Sequence, residues 1–459
     1  MRSAREVTLP VRLDRDADAP LPAQLVGQLR TLLADGVLRP GDPLPSTRAL
    51  ATHLGVARGT VVAAYDQLTA EGWFVGAAGR ATSVNPRLHE VHPEPPAAPG
   101  PRPAPAARPL IDLRPGQPMQ SGVVGPEWRA AWRRAADAGV DVEVDPLGWP
   151  PLRAAIADHL RRMRAVVRDP EQIVITAGGR DGLALLLTAS GARTVGVEDP
   201  GYPSLRRVLG RVGVAVTSLP ADLHGLVTDA LPAPAPDVVI VTPSHQYPLG
   251  GSLPIDRRQQ LLAWAHAHRV VIVEDDYDSE LRYTSSPLPA LTSLDADGAV
   301  ALLGTFSKTL TPALATGFIV APPSLLGAVA DARAALGSPV GLVPQRALAS
   351  YLESGALTRH TQRMRNLYRR RRTLVVRALR GLPEVRVYPM DGGLHAVVEH
   401  DRDEASVIDA LAARGVAASA LSSYWAGGGS RTGLVFGFGG VPDADLTAGL
   451  EAIAAVLGG

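Results

Sequence analysis

The stretch GTFSKTL, residues 304–310, holds the single lysine of a 459-residue chain with 46 Lys plus Arg; every other member of that pair is arginine. As charges the two residues are equivalent, but their chemistry differs. A guanidinium stays protonated, whereas a lysine amine shifts its pKa on burial and forms a Schiff base with a carbonyl. Lys308 is therefore a candidate amine nucleophile. Composition alone leaves a second reading open, a solvated surface lysine in an arginine-preferring chain. There is no cysteine, which excludes disulfides, thiolate metal ligands and thiol nucleophiles.

An amine needs a scaffold, and 459 residues are enough for two or three domains. A content of 46% hydrophobic and 20% charged residues suits a soluble globular protein. The N-terminus has no apolar core of signal-peptide length and no run of about 18 apolar residues occurs, so the expected location is the cytoplasm, with no membrane partner. Net charge is +1, and residues 1–90 hold ten Arg against nine Asp plus Glu. Bulk charge therefore neither favours nor excludes nucleic acid, which has to be argued from a motif.

Composition breaks once. From Pro93 to Pro109 eight of seventeen residues are proline, a stretch suited to an extended spacer and unable to form a core. It divides the chain into an N-terminal module over 1–90, a linker over 91–110 and a body over 111–459. In the body, the stretches EQIVITAGG, ARTVGVEDPG, PDVVIVTPS, HRVVIVEDDY and GAVALLGTFSK, each a β-rich run of four to six residues followed by Gly, Pro, Asp or Ser, alternate with helical patterns such as RDGLALLLTAS and IDRRQQLLAWAHAH. That alternation predicts βαβ units, a mainly parallel sheet and ligands at the carboxyl ends of the strands. From about 340 to 459 a long helical stretch followed by alternating strands predicts a smaller α+β subdomain.

In the N-terminal module, Leu25, Leu29, Leu32 and Leu33 fall on one face of a first helix. Ser46 is a suitable N-cap for a second helix, TRALATHL, and Gly55 ends it. The third, read from ARGTVVAAYDQLTAEG with Arg58 and Thr60 at its start, has the placement of a helix-turn-helix recognition helix, whose N-terminal residues meet the major groove. WFVGAAGRATSV then reads as a hairpin with Gly76, Gly79 and Arg80 near its tip. Over about residues 20–85 the module resembles a GntR-type winged helix. The resemblance implies DNA contact at Ser46, Arg48, Arg58, Thr60 and Arg80. Gly59 and the wing sequence GAAGRATSV depart from the family pattern. The alternative is a helical protein-interaction module with solvated arginines.

VEDPGYPS, VTPSHQYPLG, VEDDYDSELRY and GTFSKTL occur in the order and approximate spacing of fold-type I pyridoxal 5'-phosphate (PLP) enzymes, the aspartate aminotransferase class, which the body resembles over about 110–455. The resemblance implies that Lys308 carries PLP as a Schiff base and that Asp275 pairs with the pyridinium nitrogen, a partner a carboxylate keeps protonated. It further implies that Tyr277 and His245 face the phenolic oxygen, that Tyr202 lies against the ring, and that Ser307 and the amides of Gly178, Gly179 and Arg180 serve the phosphate. Three positions depart from the pattern. Ala315 stands where an arginine clamps the phosphate, Ala177 where a hydroxyl precedes the first glycine, and Glu143 where a tyrosine is usual. PLP is therefore expected to be held by Lys308 but more loosely than in the family, with Arg180 as a compensating cation.

The whole order of parts, winged helix, spacer and aminotransferase-like body, resembles the MocR subfamily of bacterial GntR-type regulators. That implies a homodimer reading paired half-sites on double-stranded DNA, with the body as sensor of PLP or a small amino compound. Two other functions stay open: a regulator whose body has lost PLP and senses another ligand or partner, and a working aminotransferase.

Overall fold

A computed structural model of the chain describes residues 9–76, 81–88, 111–139, 145–283, 289–427 and 431–459. The Pro93–Pro109 spacer, the wing tip with Gly79 and Arg80, and Glu143 lie outside the described residues. The chain divides into two compact units, Met1–Ala106 and Ala107–Gly459.

The first unit contains α1 (Leu21–Ala34), α2 (Thr47–Leu54), α3 (Arg58–Ala70), β1 (Phe74–Val75) and β2 (Ser83–Val84). The apolar stripe read from the sequence is the buried face of α1: Leu25, Leu29, Leu32 and Leu33 pack in one cluster with Val61, Ala64, Tyr65 and Leu68 of α3. Ser46 caps α2, its hydroxyl accepting the Ala49 N–H at 3.2 Å, which satisfies one of the donors a helix start leaves open. Gly55 ends α2 at φ 63°, the left-handed conformation that turns the chain into α3 at no steric cost. The Tyr65 hydroxyl donates to the Pro45 carbonyl at 3.0 Å and ties α3 to the segment before α2. β1 and β2 pair antiparallel as the stem of a wing.

The second unit runs β3 (Ile111–Asp112), α4 (Pro126–Asp137), α5 (Pro150–Arg164), β4 (Ile173–Thr176), α6 (Gly179–Ser190), β5 (Thr194–Asp199), α7 (Pro203–Val212), β6 (Ala215–Asp222), β7 (Gly225–Leu226) and β8 (Val238–Val241). It continues through α8 (Ile255–His268), β9 (Val271–Asp276), α9 (Leu291–Leu294), β10 (Val300–Thr305), β11 (Gly317–Val320), α10 (Pro323–Leu336), α11 (Leu342–Glu353), α12 (Ala356–Leu379), β12 (Val385–Val387) and β13 (His395–His400). It ends with α13 (Glu404–Ala413), β14 (Val416–Ala417), β15 (Ser419–Ala420), β16 (Gly433–Gly437) and α14 (Asp443–Gly458).

Among the described residues the large sheet has the order β4-β11-β10-β9-β8-β5-β6-β7, parallel from β10 through β6. β11 is antiparallel to both β10 and β4, so β4 runs in the same direction as β10. Strands buried on both faces explain the near-continuous apolar runs in the sequence. Val238 and Ile240 pack with α6, α7 and α10 residues on one face, while Val239 and Val241 pack with Leu261 and Ala265 of α8 on the other. The smaller subdomain is a sheet of order β12-β13-β16-β15 with its own core. One strand of this region precedes the large sheet in sequence: β3 pairs parallel with β14, and Leu113 is in the same core. A boundary placed by chain position at about 340 misses it, because a two-residue strand carries no periodicity.

Candidate functional site

β4, β5, β8, β9 and β10 present their carboxyl ends at one edge, and the segment after each end carries a residue singled out from the sequence. A cleft of about 340 Å³ lies there, lined by Lys308, Ser307, Asp275, Tyr277, Tyr202, Gly178, Gly179, Arg180, Ala177 and Ala315. Lys308 is half-buried, and its Nζ donates to the Gly116 carbonyl at 2.5 Å. Gly116 has φ 103°, a backbone conformation that favours glycine, and a Cβ there would stand 3.0 Å from Nζ, close enough that the lysine tip would have to shift slightly.

Asp275, near the end of β9, has its carboxyl pushed up to about 7 by burial and by the acids Asp276, Asp278 and Glu198; Lys308 opposes that shift. A carboxyl held up for want of a nearby cation suits a protonated ring nitrogen. Tyr277, two residues on, donates its hydroxyl to the His245 carbonyl at 3.0 Å. Tyr202 stands 37% exposed at the start of α7, edge-on to Tyr247 at 5.0 Å.

His245 is not among the cleft-lining residues. It is 5% exposed, with its ring stacked on Tyr277 at 5.8 Å and its Nδ1 2.9 Å from Asp278 Oδ2. The Tyr277 hydroxyl lies 2.8 Å from the same nitrogen. An Nδ1–H donated to the carboxylate, with the tyrosine hydroxyl directed to the carbonyl, satisfies all these groups. His245 therefore backs Tyr277 rather than facing the cleft.

The anion cradle is the start of α6, whose first N–H groups have no intrahelical acceptor. Gly178, at φ 87°, forms its N-cap. Asp181 already takes the Ala177 amide at 2.9 Å and is itself held by Arg333 at 2.8 Å. The Thr176 hydroxyl is spent on the Gly178 carbonyl at 3.2 Å. Arg180 is exposed, and no acceptor meets its guanidinium among the described residues. Ala315 adopts φ 45°, a left-handed non-glycine position on the cleft wall.

Sequence reasoning passed over several residues that the fold brings here. Thr305 Oγ1 lies 2.8 Å from Ser307 Oγ and beside the cleft; it stood in the quoted GTFSK, two residues before Ser307 and so on the same side of the strand end. Tyr247 meets both Tyr202 and Tyr277 edge-on. His395 packs 4.9 Å from Tyr247, with its Nε2 2.8 Å from the Pro248 carbonyl. Gly116 and Gln117 come from far earlier in the chain, and no local pattern marks them.

In the N-terminal unit, Ser46 and Arg48 are exposed at the start of α2, Arg58 is exposed at the start of α3 and Thr60 in its first turn is half-buried. Arg58 Nε donates to Thr47 Oγ1 at 3.3 Å. α2 and α3 are thus joined at the surface that a helix-turn-helix offers to a duplex.

A winged helix-turn-helix joined to a fold-type I aminotransferase scaffold defines a class of DNA-binding regulator with an enzyme-like second domain. Comparison with known proteins agrees. The family "Aminotransferase class I and II" matches residues 108–453, and "Bacterial regulatory proteins, gntR family" matches residues 21–84. The chain belongs to the MocR-type transcriptional regulators of the GntR family. The HTH-type pyridoxine biosynthesis transcriptional regulator PdxR of Corynebacterium glutamicum is 49% identical over 432 residues, covering 94% of each chain. The probable rhizopine catabolism regulatory protein MocR of Rhizobium meliloti is 32% identical over 467 residues, covering 96% of this chain and 94% of its own. In fold, the second unit is similar to Pyrococcus horikoshii kynurenine aminotransferase, with a TM-score of 0.70 at 24% identity over 77% of this chain and 91% of that one. Among the described residues no helix is long and apolar enough to cross a membrane.

Proposed function

We propose that this regulator senses PLP itself, with Lys308 as the covalent anchor, and that its target is the supply of that cofactor. The observation that carries the reading is the charge inventory of the cleft. Among its described lining residues the cations are Lys308 and Arg180, and the one acid is Asp275. PLP supplies an aldehyde, a phosphate and a ring nitrogen, and these three side chains match the three groups one to one. An amino-acid substrate brings a carboxylate as well, and among the described residues no third cation lines the cleft to receive it, which favours the sensor over a working aminotransferase. The name of the Corynebacterium relative, a pyridoxine biosynthesis regulator, supports the same ligand.

When bound, PLP provides an aldehyde that condenses with an amine. The chain's own residues do the rest. Lys308 provides the nitrogen, Asp275 keeps the ring nitrogen protonated, and Tyr202 and Tyr277 bound the ring. Ser307, Thr305, the α6 amides and Arg180 receive the phosphate. Ser46, Arg48, Arg58 and Thr60 meet DNA, with Arg80 from the wing. A homodimer presents two such readers to paired half-sites. The units are taken as a DNA reader over 1–90, a spacer over 91–110 and a sensor over 111–459.

The alanines at 177 and 315 favour a second reading, in which the body no longer takes PLP and responds to another ligand. Absorbance decides between them. Full-length protein titrated with PLP should turn yellow, and Lys308→Ala and Lys308→Arg should both abolish the colour, since arginine keeps the charge but not the amine chemistry. A wild-type protein that stays colourless at saturating PLP sinks the PLP reading.

A further inference from the structure

We propose that α12 is a second contact for the DNA backbone, made by the sensor unit rather than the winged helix. α12 is 24 residues long and contains no Asp or Glu. Its outward positions include Arg363, Arg370 and Arg377, all exposed, and none of their guanidinium groups meets an acceptor among the described residues. Other arginines of the helix are already used. Arg359 pairs with Glu127 at 2.5 Å, Arg371 with Asp443 at 2.7 Å, and Arg365 and Arg372 donate to backbone carbonyls.

The three free arginines are seven residues apart, which keeps them on one face at a rise of about 10.5 Å each and a span of about 21 Å. A solvated helix face usually mixes charge signs and forms i,i+4 pairs; a face of one sign repels itself unless a polyanion lies against it. The polyanion this chain is built to hold is a duplex. Because the sensor unit is tethered to the DNA reader, it meets DNA at high effective concentration, so contacts that are weak in isolation still count.

Phosphate neutralisation releases counterions, about 0.9 per contact on B-DNA, and the slope of log affinity against log salt reports their number. The test titrates full-length protein with a fluorescent 40-base-pair duplex of mixed sequence at several salt concentrations. Arg363→Ala/Arg370→Ala/Arg377→Ala should reduce the slope by about two to three and weaken binding on the order of a hundredfold at 0.1 M salt. The triple lysine variant should retain the slope, and both variants should melt as wild type does. An unchanged slope in the alanine variant overturns the proposal. So does an unchanged slope with an altered oligomeric state, which assigns the stripe to contact between copies of this chain. Equal loss in the lysine variant also overturns it, since charge is then not what matters.

We further infer, on the reading that PLP condenses with Lys308, that the Lys308–Gly116 hydrogen bond is a latch that the ligand opens. On condensation the neutral amine gives its two hydrogens, with the aldehyde oxygen, to a departing water, and nitrogen and carbon become doubly bonded. The donor that held the Gly116 carbonyl is thereby consumed. Gly116 lies six residues past the end of the spacer, in a segment otherwise held by Ile111 N–H to the Gly415 carbonyl at 3.0 Å, Leu113 N–H to the Ala417 carbonyl at 2.9 Å and Met119 N–H to the Tyr368 hydroxyl at 2.9 Å. Ligand chemistry thus reaches the chain just where it leads to the DNA reader.

Lys308→Ala lacks the latch without any ligand. Amide exchange over residues 111–119 in this variant should rise to the level of PLP-loaded wild type, and its DNA affinity should be that of the loaded state. Exchange equal to that of ligand-free wild type overturns the latch, and this arm needs no PLP. A yellow wild type whose exchange over 111–119 does not change on loading also overturns it, whereas a colourless wild type strikes at the PLP reading instead.

Discussion

Replacing Ala315 with arginine should tighten PLP binding by about ten- to a hundredfold. Ala315 follows the short turn Pro312–Leu314 and lines the cleft, and Gly317, two residues on, is close enough to Gly178 that a Cβ on it would lie 2.9 Å from the Gly178 Cα. A long side chain at 315 therefore starts beside the α6 cradle. The backbone there is left-handed, at φ 45° and ψ 45°, and alanine already bears the cost of a Cβ in that region. Arginine adds no further backbone strain, and the position is exposed, so stability should change little. What it adds is a charge-assisted contact to the phosphate, worth roughly 1.5–3 kcal/mol. At about 1.4 kcal/mol per decade, that is one to two orders of magnitude in Kd. The assay is a titration followed by visible absorbance, with Arg180→Ala run alongside. Wild type binding as tightly as Ala315→Arg would refute the reasoning, and a large loss in Arg180→Ala would then identify Arg180 as the group that has taken over the phosphate.

Arg58→Ala should weaken binding by roughly 1–3 kcal/mol for a preferred DNA sequence alone if it reads a base, or reduce the salt slope by about one if it meets phosphate; a titration unchanged on both counts removes it from the interface. His395 is pushed down to about 4, chiefly by burial, with nearby His245 and Lys308 acting the same way. A histidine depressed in the folded state supports stability above its ordinary value near 6.5 and loses that support as pH falls toward 4. Thermal melts should therefore fall over that window, and His395→Asn should flatten the fall; equal acid sensitivity in both proteins would contradict the burial argument.

Legibility from the sequence followed locality. The α1 stripe, the Ser46 cap and the Gly55 turn are decided within a few residues of each other, so they could be read directly. The same holds for strands with both faces buried, because their apolar runs are continuous. Lys308 stood out through chemistry, as an amine among guanidinium groups. What escaped depended on residues distant in sequence. The Gly116 carbonyl reaches Lys308 across 192 positions. β3 joins the small subdomain from the other end of the unit. His245 turned behind Tyr277 because Asp278, one position beyond it in chain order, claims the imidazole nitrogen. Motif order brings such residues to one strand edge, but which of them faces the cleft is settled by the hydrogen bonds each makes behind it.

Keeping Lys308 while a phosphate-clamping arginine is missing at 315 is consistent with a sensor and would be a poor arrangement for an enzyme. An enzyme gains from holding its cofactor permanently. A sensor must empty and fill as the ligand concentration changes, and it responds only where Kd lies within the range that the free ligand covers. Retaining the amine preserves chemical selectivity for an aldehyde, and weakening the phosphate grip raises Kd without altering that selectivity. On the proposed reading that the body senses PLP, Ala315→Arg in cells should not act as an improved regulator but as one fixed in its loaded state, with target expression insensitive to the PLP supply and set at the level wild type reaches when PLP is plentiful. Expression that still follows the PLP supply with an unchanged midpoint would mean that the phosphate contact does not set the response, and that the alanine at 315 has no bearing on sensing.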